Sequence, residues 1–211
     1  MSAVDQRRER GARNRAAILD AALELFATTG FDATTVEQIT AAAGVAPRTF
    51  FHHFPTKDDV LFDGYADRLA EVARRFRREG AGGTLWSALS EVATAVADSI
   101  LEQPHRYLER ARLYDEVPAL RARMLRINEE WIDGLTTEVA HRLGTDARGD
   151  VRPRLAATLV NGANRAALEV WVASGGTQDL HQLFAESLQL LRPTIQRIER
   201  DASTERAARA S

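Results

Sequence analysis

The stretch from Thr34 to Lys57, TTVEQITAAAGVAPRTFFHHFPTK, leaves the chain few folds to choose from. Thr34 followed three residues later by Glu37 is a capping-box spacing, in which each side chain satisfies an orphan backbone N–H at a helix start. Val36, Ile39 and Ala43 recur at i, i+3 and i+7, the apolar stripe of a short helix. Gly44 supplies the left-handed residue that a sharp stop requires, and Pro47 suits the first position of the next helix, where its missing N–H costs nothing. Two short helices joined by a glycine turn make a helix-turn-helix.

The second of these helices, Pro47 to about Phe54, divides by face. Phe50 and Phe54 (i, i+4) point together into a core, with Phe51 on the shoulder, while Arg48, Thr49, His52 and His53 fall on the other side. That outward set suits base edges: a guanidinium grips guanine O6 and N7 in a fork, and a threonine methyl meets a thymine methyl. Thr35 stands at the start of the preceding helix. Thr56 caps a further helix with Lys57 in its first turn, where a cation opposes the helix dipole unless an anion such as phosphate lies beside it.

From Arg15 to Leu61 the chain resembles the DNA-binding domain of the TetR family of repressors: the LF and GF pairs, TTV, AGV, TF followed by an aromatic residue, HF and the closing lysine are all present. The resemblance implies that Arg48, Thr49, Phe51, His52, His53, Lys57 and Thr35 meet DNA. Phe51 stands where the family usually has tyrosine; without a hydroxyl it cannot donate to a phosphate, which leaves a ring contact to sugar or a thymine methyl.

Composition bounds the rest. The 211 residues, 45% hydrophobic and 27% charged, suit a globular protein with room for a second domain. A net charge of −2 means that DNA affinity must come from a local patch. Without cysteine there are no disulfides or cysteine–zinc sites, and the composition fits a reducing cytoplasm. No apolar run approaches a membrane span, and no signal-peptide pattern opens the chain. There is no G-x-S-x-G elbow, H-E-x-x-H pair or strand–glycine–helix phosphate loop, so no catalytic residue, metal or cofactor is expected. His52 and His53 project about 100° apart on a helix and cannot readily share a metal. A helical adaptor that keeps this fold but binds protein is the rival reading.

All-α architecture is expected throughout, in about nine helices: residues 1–14 as a flexible basic arm, 15–61 as the helix-turn-helix domain, 62–200 as a helical regulatory and dimerisation domain, and 201–211 as a frayed tail. The first helix, Arg15 to Thr29, turns Ile18, Ala22, Leu25 and Phe26 inward and ends at Gly30. One helix from Thr56 to about Glu79 links the domains, stopped by Gly80 and followed by the linker Gly80–Gly83. Helices starting at Leu85, Pro104, Pro118 and Val151 follow, and a last one capped at Thr177 or Asp179 runs to about Arg200.

The last two helices carry Leu159, Ala163, Ala166 and Val170, then Leu180, Phe184, Leu188 and Leu191, read as a four-helix dimer interface because a palindrome reader needs two-fold symmetry; intrachain core is the alternative. The C-terminal part, with its PALRAR helix and late tryptophan, is similar to the branch related to mycofactocin-system regulators, which implies an acyl-CoA-like or other lipophilic inducer. Trp86, Tyr107, Met124, Trp131 and Phe62 are candidate cavity walls, though residues of this kind are more often plain core. Asn128, Asn161 and Asn164 are candidate polar contacts, and Arg110 a candidate partner for a carboxylate or phosphate. The expected partners are an operator duplex, a small-molecule inducer and a second copy of the chain, with no membrane.

Arg7, Arg8, Arg10 and Arg13, joined by Arg15, make the N-terminus either a solvated tail or an arm tracking phosphates. On the arm reading, deleting residues 1–12 flattens the salt dependence of operator binding. An unchanged slope in titrations from low to moderate salt removes the arm from the interface.

Overall fold

The computed structural model describes residues 3–79 and 83–210. Ten α-helices and one 3-10 turn, Asp58–Phe62, account for the architecture, with no strand among the described residues. The helices are α1 Ala3–Thr29, α2 Val36–Ala42, α3 Pro47–His53, α4 Tyr65–Glu79, α5 Leu85–Leu101, α6 Pro104–Glu116, α7 Pro118–Leu143, α8 Val151–Ala173, α9 Leu180–Gln189 and α10 Arg192–Ala210. The helix stop expected at Gly80 and the linker through Gly82 lie outside the described residues.

The chain forms two compact units. The first comprises Met1–Tyr65 together with His105–Arg121; the second comprises Ala66–Pro104 together with Ala122–Ser211. In the first unit α1 presents Ile18, Leu19, Ala22, Leu23 and Phe26 to α2 and α3, while Leu25 is only half-buried. Phe31, Ile39, Phe50, Phe54 and Leu61 complete that core. The second unit packs around α5, whose Leu85, Leu89 and Val92 are fully buried and whose Ile100 is nearly so, with Val96 half-buried. Against it lie α9, α8 and α10.

Five sequence expectations change. The capping box lies one residue later, at Thr35 and Gln38: Thr35 donates its N–H to Gln38 Oε1 at 2.8 Å and accepts from Gln38 N at 3.2 Å. Thr34 is buried instead, its hydroxyl donating to the Gly30 carbonyl at 2.7 Å. The helix expected from Thr56 is cut by Gly64, whose φ of 75° lies where side chains with a Cβ are strained. Lys57, not Thr56, is the N-cap residue of the 3-10 turn ahead of that break, and Thr56 donates its N–H to Asp59 Oδ2 at 2.7 Å. The last helix is also two helices, because Pro193 has no N–H to continue α9 and starts α10 in its place. Helix extends through residues 3–14, expected as a flexible arm.

The expected frayed tail is the fifth change. Residues 201–210 continue α10, with Ile195, Ile198 and Ala202 buried. The helix also contacts the ends of three others, two of them through backbone groups. Glu199 Oε1 accepts from the Leu85 N–H at the start of α5 at 2.7 Å, Glu205 pairs with Arg152 in the first turn of α8 at 2.6 Å, and Arg206 donates to the Leu143 carbonyl ending α7. Hydrogen bonds to charged groups contribute about 1.5–3 kcal/mol each, less where exposed. A chain ending at Ile198 is therefore expected to lose at least about 2 kcal/mol in denaturant unfolding, whereas an unchanged midpoint would mean that the tail is dispensable.

Candidate DNA-reading surface and effector cavity

The first unit holds α3 by its back. Phe50 is fully buried and Phe54 nearly so, their ring centres 5.7 Å apart. Burying a phenylalanine is worth about 1.5–3 kcal/mol, so this pair fixes the rotation of a helix too short to be stable alone. Ala43 and Gly44 end α2; Gly44 has φ 65°, and Val45 N–H returns to the Thr40 carbonyl at 3.0 Å. Ala46 and Pro47 then start α3. The opposite face emerges into solvent: Arg48 and His52 are exposed, Thr49 and His53 half-buried, and Phe51 is 56% exposed.

The surroundings sort the expected DNA contacts further. Thr35 is exposed, but its hydroxyl oxygen is engaged in the α2 cap. Arg13 is exposed and lies 3.8 Å from Glu9. Arg15 serves the fold: its Nε donates to Asp63 Oδ1 at 2.7 Å, and its guanidinium lies 5.7 Å from the Phe54 ring centre. Lys57 likewise turns inward, donating to the Phe31 carbonyl at 2.6 Å and the Thr34 carbonyl at 2.9 Å, with Nζ 4.4 Å from the Phe31 ring centre. Two of its three N–H groups thus hold the α1–α2 connection.

Helix α6 completes the unit, which sequence reasoning missed. Tyr114 donates its hydroxyl to the Leu61 carbonyl at 2.8 Å, and its ring stacks on Phe62 at 5.4 Å. Arg106 pairs with Asp20 at 2.6 Å, and Arg110 Nη1 lies 3.5 Å from the Asp63 carbonyl. Tyr107, Arg110 and Phe62, expected to line a regulatory cavity, thus belong to this unit. No local spacing signals such a brace, because it joins segments some fifty residues apart.

In the second unit a cavity of about 310 Å³ opens between α4 and α7. On α7 the lining residues Trp131, Gly134, Leu135 and Glu138 share one helical face; Leu69, Val72 and Phe76 are the larger contributors from α4. Room exists because Ala66, Ala70, Ala73 and Gly134 leave it, and a Cβ added to Gly134 would meet nothing within 4 Å. Of the expected ligand residues, Trp131 alone is in this lining. Trp86 packs with the Arg192 guanidinium 5.6 Å from its ring centre. Met124, Asn128 and Asn161 are half-buried, and Asn164 is buried with Oδ1 lacking a hydrogen-bond partner.

The expected dimer stripe also divides. Leu180, Phe184 and Leu188 are at most 3% exposed within one chain, where α9 packs on α5 and α8, so they are core. Leu159, Ala163 and Leu191 are half-buried, whereas Ala166 and Val170 are exposed and continue a stripe with Leu155 on α8. Among the described residues no His, Asp or Glu group of three is placed to hold a metal, and no helix is long and apolar enough to cross a membrane.

A short amphipathic helix fixed behind a glycine turn, carried on a small helical unit and joined to a larger one with an apolar cavity, defines a DNA-binding transcription regulator with a ligand-binding C-terminal part. Residues 18–63 match the model of the bacterial regulatory proteins of the tetR family, and residues 83–196 match the MftR C-terminal domain. The chain belongs to the TetR family of transcriptional regulators, which are not enzymes. It is 34% identical over 192 residues to the HTH-type transcriptional regulator TcmR of Streptomyces glaucescens, covering 87% of this chain and 84% of that protein. It superposes on FadR from Bacillus subtilis, solved with stearoyl-CoA, with a TM-score of 0.61 at 22% identity, over 83% of this chain and 96% of that one. FadR from Thermus thermophilus, solved with lauroyl-CoA, gives 0.53 at 25% identity, over 84% and 92%.

His53 carries a pH signature. Burial lowers its pKa first, then the neighbouring His52 and Arg15 charges, with Asp63 opposing. The folded state thus holds fewer protons than the unfolded chain, so this contribution to stability is complete above the ordinary histidine pKa and falls as pH drops below about 6.5. His53→Gln should flatten the decline in unfolding free energy between about pH 6.5 and 5; an unchanged slope would place the titration elsewhere.

Proposed function

We propose that this chain is a cytoplasmic repressor that binds a palindromic operator as a dimer and releases it when a lipophilic effector enters the α4–α7 cavity. The exposed Arg48, Phe51 and His52 face on a helix held by Phe50 and Phe54 carries the reading. Arg48 offers a two-pronged donor for guanine, Thr49 its methyl, and Phe51 an apolar ring for a thymine methyl or sugar. His52 and His53 add imidazole donors, Arg13 and the arginines ahead of it a phosphate-facing set, and Thr35 and Lys57 their remaining donors. Arg15 acts through Phe54 and Asp63 in this scheme, not through DNA.

Dimerisation through the exposed Leu155, Ala166 and Val170 face of α8, bordered by Leu159 and Ala163, gives the two-fold symmetry a palindrome requires. The effector reading rests on the apolar lining, and the acyl-CoA complex of the Thermus thermophilus neighbour supports a ligand with a long apolar part. The walls suit relay by sequence continuity. Helix α4 runs on from Gly64, and α7 begins with residues 118–121 of the DNA-reading unit. An effector that binds better when the reading helices are misplaced shifts the population off DNA.

Arg48→Ala is expected to weaken binding to the DNA flanking this protein's own gene by about 1–3 kcal/mol while leaving binding to unrelated duplex nearly unchanged. Equal affinity of the variant and the parent chain in a gel-shift titration would remove α3 from the reading role.

A further inference from the structure

We propose that the α4–α7 cavity takes a lipophilic cation, an apolar body carrying a protonated amine or quaternary ammonium, with Glu138 as the group that reads its charge. This rests on the cavity being the effector site. Among the described residues Glu138 is the one charged member of the lining; it stands at i+7 from Trp131 and i+4 from Gly134, on the face of α7 where the cavity calls for an apolar side chain. Its side chain is 21% exposed and pairs with Arg77, which is absent from the lining and whose side chain is 56% exposed. The negative charge is therefore the one turned toward the cavity, and its present cation sits where water can take it over. An incoming ammonium replaces Arg77 at little cost, since a half-exposed ion pair has small net worth. An incoming carboxylate or phosphate must instead lie beside Glu138.

The aromatic walls point the same way. Trp131 and Phe76 both line the cavity, and the negative faces of such rings attract cations, most strongly when water is excluded. Phe76 already has a cation near it: the Arg142 guanidinium lies 6.0 Å from its ring centre while also donating to the Gly83 carbonyl. Both charged contacts made by lining residues are thus to guanidinium groups, one on Glu138 and one on Phe76. A carboxylate, an indole and a phenyl ring around an otherwise apolar space form the chemistry of ammonium recognition.

The test is calorimetric titration of the full-length protein with four twelve-carbon probes below their micelle concentrations: dodecyltrimethylammonium, dodecanol, dodecanoate and lauroyl-CoA. The ammonium is expected to bind about tenfold tighter than the alcohol, and the two anions more weakly than the alcohol. Glu138→Gln should abolish the ammonium's advantage and leave dodecanol binding nearly unchanged. Arg77→Met should tighten the ammonium by removing its competitor, and Gly134→Leu should block all four by filling the space. Tighter binding of dodecanoate or lauroyl-CoA, or an ammonium advantage that survives Glu138→Gln, overturns the assignment of charge. Equal binding of all probes, lost in Gly134→Leu, overturns it too but leaves the cavity as the effector site. Failure of every probe to bind, or binding indifferent to Gly134→Leu, overturns both.

Discussion

Everything in the DNA-reading unit depends on two phenyl rings. Helix α3 is only seven residues long and has no side-chain cap. Isolated helices of that length do not persist in water. Its conformation is bound to the burial of Phe50 and Phe54 against α1, with Phe26 and Phe31 beside them at 5.0 Å from one another. The outward direction of Arg48, Phe51 and His52 follows from that anchorage by helical geometry. Arg15 over Phe54 and Lys57 over Phe31 enclose the same aromatic group with cations that also hydrogen-bond the surrounding chain.

Local chemistry made this part legible in the sequence, because i, i+4 aromatic spacing, a glycine turn and an N1 proline act within a few residues. The features that eluded the sequence are of other kinds. Leu61, Tyr65 and Leu69 keep helical spacing straight through Gly64, and spacing is blind to a residue that turns to positive φ. Leu180, Phe184 and Leu188 form as regular a stripe as any interface, and periodicity does not say whether an apolar face meets its own chain or a partner. The final ten residues carry little apolar surface, and polar contacts from Glu205 to Arg152 and from Arg206 to the Leu143 carbonyl help to hold them.

The cavity was half legible. Leu69, Phe76, Trp131 and Leu135 were readable as inward residues, but a cavity is a matter of what is missing. Ala66, Ala70, Ala73 and Gly134 create it by being small on two helices about seventy residues apart. Tyr107 and Arg110 illustrate the converse: both belong to the first unit, where Arg110 reaches the Asp63 carbonyl, which local sequence could not foresee. In the functional reading, the same long-range arrangement lets one chain combine an anchored reading helix with an apolar cavity.

Backbone hydrogen exchange with and without DNA from upstream of the protein's own gene tests the central claim most directly. Protection of residues 47–53 on the specific duplex, with the buried ring side of α1 unchanged, is what the anchored reading helix requires. Protection confined to the second unit, with α3 exchanging at the same rate in both states, would contradict it.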